Sequence, residues 1–198
     1  MTSLSDHGDA AALDEVIRNS SSILIGTHLN PDGDALGCAL ALSLYLDGIG
    51  KQNEVVCHNV TPKNLEFLPG AERIRQVPLR NDHDLMIMLD LESIERLGSV
   101  GYLFEKAPHL VLIDHHIPHH APGDLRIVDT KAPATAVILT RILLEMGATL
   151  TPDMSTNWVH WRRRPSTRIR STRCSSSRWL SGTWRWHDTV CSIVVAER

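Results

Sequence analysis

The chain has 198 residues, 42% of them hydrophobic, and a formal net charge of −3. That is enough apolar content for the core of one ordinary domain, and the charge gives no indication of nucleic-acid binding. No run approaches the roughly 18 apolar residues of a membrane-spanning helix, Met1–Asp14 is too polar and acidic for a targeting peptide, and four cysteines without CxxC spacing suggest a reduced, cytoplasmic setting.

A polar extension over 1–12 leads into a short helix, Leu13–Asn19, and then an apolar strand over 23–27. Residues 34–46 are apolar on most faces, which predicts a helix starting near Gly33 and buried against a sheet. Within it Gly37 and Ala39 are small enough for close approach to a strand, and Cys38 fits a core position; Gly48 and Gly50 end the helix. A strand over 53–59 follows, then a loop over 62–69 with room for one helical turn. Residues 85–89 form a strand, 92–100 a short helix closed by Gly98, 110–113 a strand and 125–128 another. A helix over 133–146 has proline near its start and Gly147 after its end. Strands alternating with helices predict an α/β fold: a parallel, Rossmann-like sheet with helices on both faces.

Three of these strands end in metal-type ligands. The first runs into His28-Leu29-Asn30-Pro31-Asp32-Gly33-Asp34, another into Asp90, and another into Asp114-His115-His116. In an open parallel sheet these ends share one rim, where such folds bind ligands. One imidazole and two carboxylates on a strand-to-helix turn suit a divalent ion such as Mn²⁺, Fe²⁺ or Zn²⁺. A cation also explains why two neighbouring acids tolerate each other. Each motif alone has a plainer reading. Asp32 or Asp34 serves as a helix cap, Asp90 as a turn residue, and residues 114–116 as a solvated loop. His119 and His120 sit in a Pro-rich loop and read as surface residues. No Ser or Cys is placed as a nucleophile.

The order HxxxDxD, then a lone Asp at a strand end, then Asp-His-His resembles the DHH phosphoesterase superfamily. That group includes RecJ-like exonucleases, nano-RNases that also dephosphorylate 3′-phosphoadenosine 5′-phosphate, cyclic-dinucleotide phosphodiesterases and family II pyrophosphatases. The context Thr27–Gly37, Phe67-Leu68-Pro69-Gly70, Asp90-x5-Arg96-x-Gly98, Ala132–Ala136 and Leu150-Thr151-Pro152-Asp153 is similar to the nano-RNase branch, over residues 13–156. The resemblance implies two Mn²⁺ ions. His28 and Asp32 would hold one, Asp34 and His115 the other, and Asp90 would bridge both. It places Asp114 and His116 in the catalytic apparatus, Asp114 orienting the cluster and His116 contacting the substrate phosphate. It further implies short oligonucleotides or nucleotide phosphates as substrates, and a homodimer.

The tail departs from this pattern. Residues 1–157 carry 11 Lys and Arg against 21 Asp and Glu, a balance of −10, whereas 158–198 carry nine Arg against two acids, a balance of +7. All five Trp lie in the second segment, and no Asp occurs between Asp153 and Asp188. The family's fourth motif, with a further ligand Asp for the second metal, and its glycine-rich substrate-clamping domain are expected after Asp153 and are not recognisable. An Arg/Trp nucleic-acid-binding arm and a solvated extension are both open readings of 157–198. A shifted reading frame or truncation is the reading the abrupt change favours. On that reading, residues 13–156 are an incomplete catalytic domain and turnover is impaired. A non-catalytic relic or nucleotide-binding module is the alternative.

Overall fold

The computed structural model describes residues 6–117 and 122–159. Six strands form one sheet: β1 (Ser22–Thr27), β2 (Gln52–Val56), β3 (Ile74–Arg75), β4 (Leu85–Leu89), β5 (Leu110–Asp114) and β6 (Leu125–Val128). All pairings are parallel, and the order is β3-β2-β1-β4-β5-β6. The helices are α1 (Asp6–Asn19), α2 (Gly33–Gly48), α3 (Gly101–Phe104), α4 (Thr135–Glu145) and α5 (Pro152–Val159). This is the doubly wound α/β arrangement that strand–helix alternation predicts.

The central strands read as unbroken apolar runs because both faces are covered. Alternate residues Ile23, Ile25, Ile87, Leu89, Val111 and Ile113 pack with Leu13 and Ile17 of α1, Leu36 and Leu40 of α2, and Ile138 and Ile142 of α4. The others, Leu24, Met86, Met88 and Leu112, meet Leu97, Val100 and Phe104 on the opposite face. Each fully buried Leu or Ile contributes roughly 1.5–3 kcal/mol. Asp84 fixes the far edge of β1, its carboxylate accepting from Ser21 N at 2.7 Å and Ser22 N at 3.0 Å.

Several elements differ from the sequence expectation. Helix α1 begins at Asp6, and Ala10 is already buried. Strand β2 stops at Val56, because the two residues after Cys57 turn to other partners. His58 Nδ1 accepts from Ser99 N at 3.0 Å, and Asn59 Oδ1 accepts from Asn30 N at 2.7 Å. The expected helix over 92–100 is a run of 3₁₀ turns, Ile94–Val100, broken at Gly98 (φ 60°) before α3 begins. Gly37 faces helix α5, not a strand: a Cβ there would collide with the backbone carbonyl of Asn157. Helix α5 itself was not expected, and it runs past residue 156. Asn157 is buried and its Nδ2 donates to Pro69 O at 3.2 Å. His119, His120 and residues 160–198 lie outside the described residues.

Candidate metal centre

Strands β1 and β4 are neighbours, yet the chain leaves β1 toward β2 and leaves β4 toward β5. Their C-terminal ends therefore flank a crevice at the point where the strand order reverses. His28 follows β1, Asp90 follows β4, and Asp114 closes β5 with His115 and His116 after it. Asp32 and Asp34 enter the same rim because α2 starts there.

Asp90 is the centre of the cluster. Its N–H still donates to Ile113 O at 3.1 Å, holding it to β5. Its φ of 62° then turns the chain, a left-handed conformation uncommon for a residue with a Cβ. The carboxylate is buried. His28 Nε2 lies 3.6 Å from Oδ2, and His115 Nε2 lies 3.6 Å from Oδ1. Two donor groups share this acid, His28-Asp32-Asp90 and Asp90-His115-His116, each with one ligand atom per residue within 4.8 Å of the others.

The imidazoles are oriented by their other nitrogens. His28 Nδ1 lies 2.9 Å from Leu29 O, and His115 Nδ1 lies 3.2 Å from Ala132 O. A carbonyl only accepts, so each Nδ1 carries a proton and each Nε2 faces the Asp90 carboxylate. The Nε2 lone pair of a neutral ring is thereby turned to the carboxylate side, where a metal ion would be held by both groups. In the metal-free chain the His28 imidazole is biased toward its charged form. Burial opposes the charge, but the Asp90 carboxylate outweighs it and raises the pKa above the usual histidine value. Burial also works against ionised Asp90, yet the contacts with His28 and Thr135 prevail and its pKa is lowered.

Asp32 caps α2, Oδ1 accepting from Asp34 N at 3.0 Å and Ala35 N at 3.2 Å. The cap and the ligand readings thus meet in one side chain. Asp34 turns the other way. Its Oδ2 accepts from Thr135 N at 2.8 Å and its Oδ1 from Ala136 N at 3.0 Å, both at the start of α4. Burial and the nearby charge of Asp90 push its pKa up to about 6 despite those two donors. Its oxygens are not among the two sets of converging ligand atoms. Asp114 is fully buried; its Oδ1 accepts from His115 N and from His116 Nδ1, both at 2.8 Å. Among the described residues Asp114 Oδ2 has no hydrogen-bond partner. The His116 side chain is about half exposed. Burial works against its charge, but the bond to Asp114 raises its pKa.

The donor set of carboxylate oxygens and imidazole nitrogens suits a hard or borderline divalent ion. Sequence reasoning missed two members of the neighbourhood. Thr135 Oγ1 donates to Asp90 Oδ1 at 2.7 Å. Cys38 is fully buried with its Sγ 3.6 Å from Asp34 Oδ1. The only hint of Thr135 was its place in the familiar Ala132–Ala136 phrase.

Residues 22–159 match the profile described as the DHH family, N-terminal domain. Over 134 residues the chain is 32% identical to the bifunctional oligoribonuclease and PAP phosphatase NrnA of Thermus thermophilus, covering 68% of this chain and 40% of that protein. It is 27% identical over 134 residues to the bifunctional oligoribonuclease and PAP phosphatase NrnA of Bacillus subtilis, covering 66% and 42%. The chain thus spans about two fifths of the length of these curated relatives. A crystal structure of an exopolyphosphatase-related protein from Bacteroides fragilis shares the fold, with a TM-score of 0.67 and 24% identity over 74% of this chain and 46% of that one. Among the described residues no helix is long and apolar enough to cross a membrane.

Proposed function

The chain belongs to the DHH family, and on that premise we propose that it is a metal-dependent phosphoesterase whose substrates are short oligoribonucleotides, dinucleotides or 3′-phosphoadenosine 5′-phosphate. The observation that carries the reading is the single buried carboxylate of Asp90 shared by two sets of metal-type donors. His28 and Asp32 would hold one Mn²⁺ and His115 the other, with Asp90 serving both; Asp34, whose oxygens stand outside both donor sets, would join the second by turning an oxygen away from the α4 N–H groups. When bound, the ions would supply a Lewis acid for the phosphoryl oxygens and an acidified water. His28 and His115 present Nε2 with Nδ1 already committed to a carbonyl, which limits the reorganisation that binding needs. His116, held by Asp114, half-exposed and biased toward its charged form, would serve as a donor for a substrate phosphate.

Turnover by this chain is expected to be weak, because no carboxylate lies between Asp153 and Asp188 to complete the second site. The same feature favours a second reading, a nucleotide-binding relic without turnover. The test is release of phosphate or mononucleotide with Mn²⁺, alongside a chelator control and Asp90→Ala. Release that needs the metal and vanishes in the variant supports the enzyme. Release unchanged in Asp90→Ala overturns the assignment.

A further inference from the structure

We infer that Thr135 is the positioning residue of this centre, its hydroxyl fixing the shared carboxylate of Asp90 while its backbone N–H fixes Asp34. The inference rests on the metal-centre reading above and adds a residue that the ligand set does not contain.

Helix α4 begins without a side-chain cap of its own: its N-cap position is Ala134, in extended backbone. Threonine near a helix start commonly turns its hydroxyl onto its own helix. Thr135 sends it across to β4, donating to Asp90 Oδ1 at 2.7 Å in a fully buried contact. That oxygen is also the one nearest His115 and His116. Oδ2, nearest His28, is left free of this donor. The hydroxyl therefore distinguishes the two oxygens of the shared acid and sets the plane of the carboxylate. A hydrogen bond to an ionised oxygen is about twice as strong as a neutral one. At the same residue the N–H donates to Asp34 Oδ2 at 2.8 Å. One residue thus sets the separation of two acids that the chain places 56 residues apart, at 34 and 90.

Thr135→Val removes the hydroxyl and keeps the branched shape and the N–H. Mn²⁺ binding is read by calorimetry and by the paramagnetic signal of the free ion, on the full chain. The expected result is a roughly 10–100-fold loss of affinity, with Thr135→Ser returning to within a few-fold of the parent. Thr135→Ala gives the same reading if the valine variant does not fold. A merely structural role predicts variants that melt earlier in chelator but bind Mn²⁺ like the parent once folded; that outcome overturns the inference. So does failure of both valine and alanine variants to fold while the parent folds. A parent chain that binds no Mn²⁺ overturns the metal-centre reading and this inference with it. A parent that binds, with a valine variant that matches it, overturns this inference alone.

Discussion

At the scale of single residues, Asp34 and Asp90 divide the electrostatic load unequally. Asp90 is favoured in its ionised form by His28, Thr135 and His116, which outweigh its burial. Asp34 is buried beside it and holds its proton up to about pH 6, whereas the unfolded chain releases that proton near 3.8. Between those values the folded state binds more protons than the unfolded one. The stability of the metal-free protein should therefore fall as pH rises from about 4 to about 6, by on the order of 2–3 kcal/mol from this group. Denaturant titrations in chelator check this, and Asp34→Asn should flatten the slope. An equal slope in the two proteins would count against the assignment. His28 and His116 act in a different window, because their raised pKa values support stability below the ordinary histidine range and lose it as pH climbs through the folded values. Asp90→Ala should weaken Mn²⁺ binding to both donor sets, since each contains that acid; calorimetry that loses only one binding event would argue against a shared carboxylate.

At the scale of elements, two helices start on acids of the site. Asp32→Ala should destabilise the chelated protein by about 1 kcal/mol through loss of the α2 cap, in addition to any effect on metal. A variant as stable as the parent in denaturant would show that the cap contributes nothing. Gly37→Ala forces α5 away from α2 and should cost about 1–3 kcal/mol, measured the same way; an unaffected midpoint would show that α5 is dispensable to the fold. The strands of the central sheet were legible because burial on both faces leaves long apolar runs, and the candidate trio of His28, Asp90 and His115 was legible because each follows such a run. Strand β3 was not, since two residues, Ile74 and Arg75, carry no periodicity. Helix α5 was hidden by a polar composition, its place set by Gly37 and Pro69, which are distant in sequence. Thr135 could not be read as a partner of Asp90 because a hydroxyl bond across 45 positions leaves no local trace.

At the scale of the whole molecule, the family match stops at residue 159, close to the compositional break near Asn157. A one-base shift of frame near codons 154–160 should restore a phrase ending Asp-Thr-Gly and continue into glycine-rich sequence. Resequencing the gene decides this, and early stops in every other frame would dispose of it. The restored protein should release phosphate from phosphoadenosine phosphate at least tenfold faster than the 198-residue chain at matched concentration. Equal, chelator-sensitive rates would mean that another acid, Asp153 or Asp188, completes the second site.

The left-handed backbone at Asp90 has a bearing on directed evolution. That conformation costs on the order of 1 kcal/mol or more for a residue with a Cβ, is free for glycine and is tolerated by asparagine. A library at this position screened for thermal survival in chelator should therefore enrich Asn, which keeps an acceptor for the buried Thr135 hydroxyl that glycine would leave unpaired. The same library screened for manganese retention should return Asp. The two selections would pull one codon in opposite directions, a local instance of the conflict between robustness and activity.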